Sequence, residues 1–295
     1  MKKALLKDSI KEIKNTYKRF ISILLMAFLG VGFFAGIKAT PDDMVNTIDK
    51  YYKNQNVYDI QVISTLGLTS KDVEELAKIE NIEQVEGTFE ADGKIEIENK
   101  EIVTKVMCIE DLNKPVLIEG TLPKNQNECV VEPSFLTQNN KKIGDTITLE
   151  IENSTNDEGE EIEYLKQKEL KIVGTIRSPM YISSDRGTSS LGSGKANYYM
   201  YISKDNINAD QIYTNIYMKV KDANKYTTSS KAYEDYIEQV ENKIEEIKEE
   251  RQDARKKELV DKANEKVQKA RRRTRKTKSR CSKTNRWSRT KNKWQ

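Results

Sequence analysis

The chain has no histidine at all. That absence removes Ser-His-Asp and Cys-His catalysis, and with them every zinc site that needs imidazole. Cysteine is scarce: Cys108, Cys129 and Cys281 make an odd, sparse set that describes no disulfide scaffold. Two readings stand for Cys108 and Cys129, a bridge between them or two isolated buried thiols. Long uncharged runs are scarce too. The one that matters is Phe20 to Ile37, FISILLMAFLGVGFFAGI, apolar except for Ser22 and its three glycines.

As a helix, that run is a rod of roughly 27 Å, the thickness of a hydrocarbon core. It is longer than a secretory h-region, and Ala35-Gly36-Ile37-Lys38-Ala39 offers no A-x-A-like cleavage site. An uncleaved membrane helix is therefore expected over a signal peptide, and a soluble helix of this length would keep a polar face.

The formal net charge of +4 conceals three blocks. Residues 1–19 carry a net +5, the last 25 residues hold twelve Lys or Arg and no acid, and residues 38–270 carry the balance of −13. Lysine before the apolar run, from Lys2 to Lys18 with Arg19, places the N-terminus in the cytoplasm by the positive-inside bias. The acidic block is then extracytoplasmic. Leu6, Ile10, Ile13, Tyr17 and Phe20 recur at helical spacing among those lysines, which reads as an amphipathic helix on the cytoplasmic face, meeting anionic lipid. Docking of a cytoplasmic partner is the other reading of the same face.

Met44, Val45, Ile48, Tyr51 and Tyr52 keep helical spacing beyond the membrane and predict a stalk over 38–57. Tyr58 to Ser64 alternates as a strand with Ile60, Val62 and Ser64 on one face, and Thr69-Ser70-Lys71-Asp72 is a capping-box pattern opening a short helix. Ile82 to Phe89 follows as a strand. A hairpin is predicted over 94–109 about Asn99-Lys100, then strands at 128–132, 146–152, 169–176, 198–202 and 212–220. The expected fold is α+β and membrane-anchored, with a strand-rich extracytoplasmic domain over 58–222. A long helical arm is expected over 223–270.

In that arm Tyr233, Ile237, Val240, Ile244 and Ile247 repeat at four and three. The pattern weakens around Arg251 and Ala254 and restarts out of phase at Val260, Ala263, Val267 and Ala270. A coiled coil with a stutter and a single solvated helix both fit.

Three stretches resemble chemistry without carrying it. Gly187 to Ala196 resembles a P-loop, but Ser189 stands where the first glycine belongs and Ala196 where the magnesium-binding hydroxyl belongs. It reads as a flexible Gly/Ser connection. Asp157, Glu158, Glu160, Glu161 and Glu163 cluster without EF-hand spacing and read as solvated surface. The terminal RRRTRKTKSRCSKTNRWSRTKNKWQ looks like a nucleic-acid tail with two stacking tryptophans. A single span puts it on the side of the acidic domain, so no nucleic-acid partner is expected. Glu, Leu, Ile and Val vanish there in mid-repeat, as they would if GAA and GAG codons were read one base out of frame. Residues 271–295 are therefore read as a disordered or out-of-frame tail. No catalytic, cofactor-binding or metal-binding residue is nominated, and no cofactor is expected.

Several stretches together resemble the large FtsX-like (MacB-type) permease subunits of ABC transporters found in Gram-positive bacteria. They are the lysine-rich start with its membrane helix, YDIQVISTLGLTSKDVEELAKIENIEQVEG, IEGTLPKNQNECVVEPSFLTQNNKKIGDTITL and KIVGTIRSPMYISSDRGTSSLGSGKANYYMYI. EG-x-LP-K…IGDTI and VG-x-I-x-SP-x-Y-x-x-x-x-RGTS are the most specific elements, and residues 271–295 lie outside the resemblance.

The resemblance implies a cell-membrane subunit that is not itself an enzyme. A separate cytoplasmic ATPase would be its partner, and the membrane helices would relay movement to the outer domain. The family pattern has at least three more membrane helices after that domain, so the chain is read as the N-terminal portion of such a permease. The runner-up is a single-pass surface protein whose domain and arm bind a partner, or self-associate through 231–270.

Overall fold

The computed structural model describes residues 2–98, 100–151, 154–155, 161–208 and 213–291, with side chains at all of these except 2–6, 65–66, 154–155, 161–162, 269–270 and 272–291. Asn99, Asn153, Asp157, Glu158, Glu160 and Ile212, and the side chains of Glu161, Cys281 and both tryptophans, lie outside this description.

The chain opens with α1 (Lys2–Asn15) and α2 (Tyr17–Asn54). Helical hydrogen bonding passes through the single residue between them: the Thr16 amide donates to Glu12 and its carbonyl accepts from Phe20, both at 3.0 Å. α2 contains the apolar run, fully exposed, and is long and apolar enough to cross a membrane. Its 38 residues make a rod of about 57 Å. Pro41 lies inside it and leaves the Ile37 carbonyl without its helical donor, at the boundary between apolar and polar sequence.

Beyond α2 come β1 (Ile60–Leu68), α3 (Ser70–Leu76), β2 (Ile82–Thr88), β3 (Glu90–Ile97), β4 (Lys100–Cys108), β5 (Val116–Gly120), β6 (Glu128–Val131), α4 (Pro133–Gln138), β7 (Thr146–Ile151), the short pair β8 (Ser154–Thr155) and β9 (Glu161–Ile162), β10 (Glu169–Arg177), β11 (Tyr198–Ile202), β12 (Tyr213–Val220) and α5 (Lys231–Lys291). The architecture is α+β, an apolar N-terminal helix followed by a strand-rich domain. β3 and β4 form the hairpin that the alternation predicts, from Glu90↔Met107 to Ile97↔Lys100. β5 and α4 carry no periodic signal and are additions to the expected set.

Strands β10, β6, β11, β4, β3 and β7 follow one another as hydrogen-bonded neighbours, and β7 returns to β10, closing a six-stranded barrel; β10 also pairs β5, which continues past the closure. Alternation along β11 sends Tyr198, Met200 and Ile202 inward and Tyr199 and Tyr201 outward. Phe135 from α4 joins the interior, its ring edge-on to Tyr198 at 5.3 Å. On β10 the register shifts between Ile172 and Gly174, so Leu170 and Ile172 face inward while Ile176 joins the outer cluster. Gly174 is where β5 crosses closest: a Cβ there would lie 2.5 Å from the Glu119 carbonyl.

The second sheet is smaller, in the order β1-β12-β2. β1, α3 and β2 make a strand-helix-strand unit, but β12 separates the two strands and pairs antiparallel with both. The barrel is thus inserted between β2 and β12. Ile60, Ile216, Met218 and Val220 form the buried face of this sheet, with Leu76 of α3 and Ile237 and Val240 of α5 packed on it.

α5 runs to Lys291, which differs from the expected disorder after residue 270. No glycine or proline occurs from residue 231 to the C-terminus, and Lys and Arg are good helix formers, so nothing local ends the helix. The apolar stripe through Ile247 lies on the chain's own sheet rather than on a partner helix.

Cys108 and Cys129 are free and buried. Both are register partners of Ile202, one on each side of β11, hence about 9.6 Å apart at two strand spacings. A disulfide spans less than about 7 Å between Cα atoms, so β11 itself prevents the bridge. Burial, with Glu110 adding to it, pushes the Cys108 thiol up to about 12, and burial raises Cys129 further. Peptide mass analysis after maleimide treatment at pH 8 is expected to find both positions unmodified in the folded protein and modified after denaturation.

Candidate functional site

The site with the densest polar chemistry is the joint where α2 meets the outer domain. Asp49, on the last turns of α2, is buried; it accepts the Thr228 amide at 2.9 Å and pairs with Lys53 at 2.7 Å. Thr228 lies in the turn that leads into α5, so the end of the membrane-length helix grips the start of the arm. Between α2 and β1 the chain turns at Asn56, whose φ of 51° lies in the left-handed region that asparagine tolerates. This connector is tied to the segment after β4: the Asn113 amide donates to the Asn56 carbonyl at 3.0 Å, and Lys114 to Gln55 at 2.9 Å.

Asp59 comes next, just before β1, with a side chain 3% exposed. It accepts the Val220 amide at 2.8 Å, the Tyr233 hydroxyl at 2.8 Å and the Lys219 ammonium at 3.1 Å. Lys219 also donates to the Val57 carbonyl at 2.7 Å. One carboxylate therefore joins β1, β12 and α5. Burial and this carboxylate raise the Tyr233 phenol, keeping it a donor at every ordinary pH. A cavity of about 260 Å³ opens beside it, lined by Tyr52, Tyr58, Met180, Asn224 and Tyr233 among others.

Beyond the end of β1, Asp72 repeats the arrangement. One carboxylate oxygen accepts the Thr69 amide and hydroxyl, both at 2.7 Å; the other accepts Arg251 Nε at 3.0 Å and Nη2 at 2.8 Å. The capping box is present, and the same carboxylate holds α5. Burial pushes Asp72 up, but the Thr69 and Arg251 hydrogen bonds outweigh it and hold the group below the usual aspartate range. The weak patch in the heptad pattern is thus explained. Arg251 stands where an apolar residue would continue the stripe because it reaches a buried acid.

A third link joins barrel and small sheet. Tyr217 of β12 packs its ring at a tilt against Tyr58, centroids 4.6 Å apart, and donates to Glu90 of β3 at 2.6 Å. Burial raises the Glu90 carboxyl above its ordinary value, only partly offset by Tyr217 and Lys105.

The SP-x-Y-x-x-x-x-RG stretch wraps the outside of the barrel. Ser178 bonds the hydroxyls of Tyr199 and Tyr201, Tyr181 stacks on Tyr199 at 5.2 Å, and Arg186 sits 4.9 Å over the same ring while pairing with buried Glu132 at 2.8 Å. The P-loop-like segment is a closed loop, not an open connection. The Ser189 amide donates to Gly194, Gly194 to Leu191, and Ala196 to Gly187, so these three donors are used internally. Among the described residues no group of three or more acidic or thiol side chains is placed to hold a metal ion.

In the sequence Asp72 is marked only as a capping residue and Arg251 only as a break in the 3-4 repeat, and nothing local marks Asp59 or Glu132.

No family model matches the sequence, and no curated protein matches it. Among solved structures, the extracellular domain of the noncanonic ABC-type transporter YknZ from Gram-positive bacteria is 9% identical, with 55% of this chain and 78% of that one covered at a TM-score of 0.34. The periplasmic region of MacB from Actinobacillus actinomycetemcomitans is 14% identical, with 63% and 76% covered, also at 0.34.

Replacing Arg251 by alanine leaves Asp72 buried without its cation, and is expected to cost about 2 kcal/mol in chemical denaturation at neutral pH. Because the folded value of Asp72 lies below its unfolded one, that difference is present above about pH 4 and disappears as pH falls through the folded value. Glu90 has the opposite sign. Its folded value is raised, so its contribution is lost as pH rises through that value, and Glu90→Gln is expected to raise the melting temperature more at pH 8 than at pH 5.

Proposed function

We propose that this chain is the N-terminal portion of a permease subunit of an FtsX/MacB-type ABC transporter, not itself an enzyme. In this reading α1 and its lysines lie at the cytoplasmic face against anionic lipid, residues 20–37 cross the cell membrane, 38–57 form the stalk, and 58–222 lie outside. The observation that carries it is α2, one helix from the apolar residues to the joint at Asp49, with a single helical bond missing at Pro41. Displacement of its cytoplasmic end by a separate ATPase would arrive at β1 and at the root of α5 together, through Asp49 and Asp59.

The motif resemblance supports the same reading, since its SP-x-Y-x-x-x-x-RG element is the stretch that wraps the barrel. Residues 271–295, outside that resemblance, we read as a shifted frame; sequencing the locus past codon 270 decides it, and an intact frame with no second open frame downstream would defeat it.

A second reading has one observation behind it. Val260 and Val267 of the distal arm are 50% and 49% exposed, so 260–267 offers an apolar stripe for self-association in a single-pass surface protein.

Purification of the tagged full chain from its native membrane is expected to bring down an ABC-type ATPase; recovery of the chain without one contradicts the relay. In intact cells a membrane-impermeant maleimide is expected to label Asn54→Cys and spare Asp8→Cys, and the reverse pattern would invert the topology.

A further inference from the structure

β1 is the outer strand of its sheet, so among the described residues one of its edges has no strand beside it. α5 runs alongside it in the same direction. Asp59, before the strand, holds Tyr233, and Asp72, after it, holds Arg251. The helix between those two residues is about 27 Å long, matching the nine-residue strand at about 30 Å.

Between strand and helix lies a groove of about 1000 Å³. Ile60, Gln61, Val62 and Ile63 all line it, although they point alternately to opposite faces. A cavity touched by both faces runs along the edge of a strand. Its far wall is apolar, with Ile244 and Ile247, and Ile63 is 68% exposed.

The ends of the groove differ in charge. Glu238 and Glu241 line the end near Tyr233 and form no ion pair among the described residues; at the other end Arg251, Arg255 and Lys256 outnumber Asp253 and Asp72, the latter paired with Arg251. A second copy of β1 would bring nothing to match these ends, since IQVISTLGL carries no charge. We infer that the groove takes an extended peptide segment of a partner protein, about eight residues long, as a strand added to β1. Its alternate residues are apolar, a basic residue lies toward Glu238 and Glu241, and an acidic residue lies toward Lys256. Backbone hydrogen bonds to the open edge supply affinity, and the two charged ends set direction. This surface is independent of whether an ATPase drives the chain.

The test uses the full chain in detergent and two eight-residue probes of alternating valine and threonine, one with lysine first and glutamate last, the other reversed. One polarity is expected to bind and to slow hydrogen exchange at residues 60–64. The exposed double substitution Glu238→Lys/Glu241→Lys is expected to weaken it about tenfold with unchanged circular dichroism. Backbone N-methylation of the probe is expected to abolish binding. The inference is overturned if exchange at 60–64 does not slow at about 1 mM of either probe, or if the N-methylated probe binds equally well. It is also overturned if exchange there is already slow without probe and depends on protein concentration, which would assign the edge to a second copy.

Discussion

Much of this structure depends on the carboxylate of Asp59. With its side chain almost wholly buried, it is tolerable only because an amide, a phenol and an ammonium converge on it from β12 and α5. Those partners lie 160 to 174 residues away along the chain, so satisfying one buried charge brings the first strand, the last strand and the arm to one place. Asp72 does the same at the other end of β1. The two acids hold α5 parallel to the strand, and the groove between strand and helix follows from that.

The barrel depends on a different constraint. Closure requires β10 to serve β7 with its first half and β5 with its second, and the shift at Gly174 lets one strand do both. The same shift turns Ile176 outward, where it joins Tyr199 and Tyr201 beneath the 178–186 wrap. Barrel and small sheet then meet at Glu90 and Tyr217, a contact that titrates. The joint and the barrel therefore meet the small sheet through polar contacts, whereas the arm is held both by Asp59 and Asp72 and by the apolar packing of Ile237 and Val240.

Much of this was legible along the chain. The 94–109 hairpin could be read from alternation, the α3 start from Thr69 and Asp72, and the five later strands from short apolar runs between turns. β5 was not legible, because Leu117 and Ile118 are exposed and the strand exists only through its pairing with β10. The arm was read as a helix, yet its stripe was ambiguous. A 3-4 repeat states that one face is buried, not what buries it, and here β1 and β12 do so as far as Ile247.

By itself, then, the sequence determined what acts within one element: a membrane-length apolar helix, three blocks of charge, the periods of strands and helices, and the absence of imidazole chemistry. Only the tertiary structure decided which strands close the barrel, why Cys108 and Cys129 stay apart, and which acids hold the arm. The physical reason is range. Periodicity and capping are set by neighbours a few residues away, whereas Asp72 and Arg251 meet across 179 positions, and nothing local to either residue marks the other as its partner.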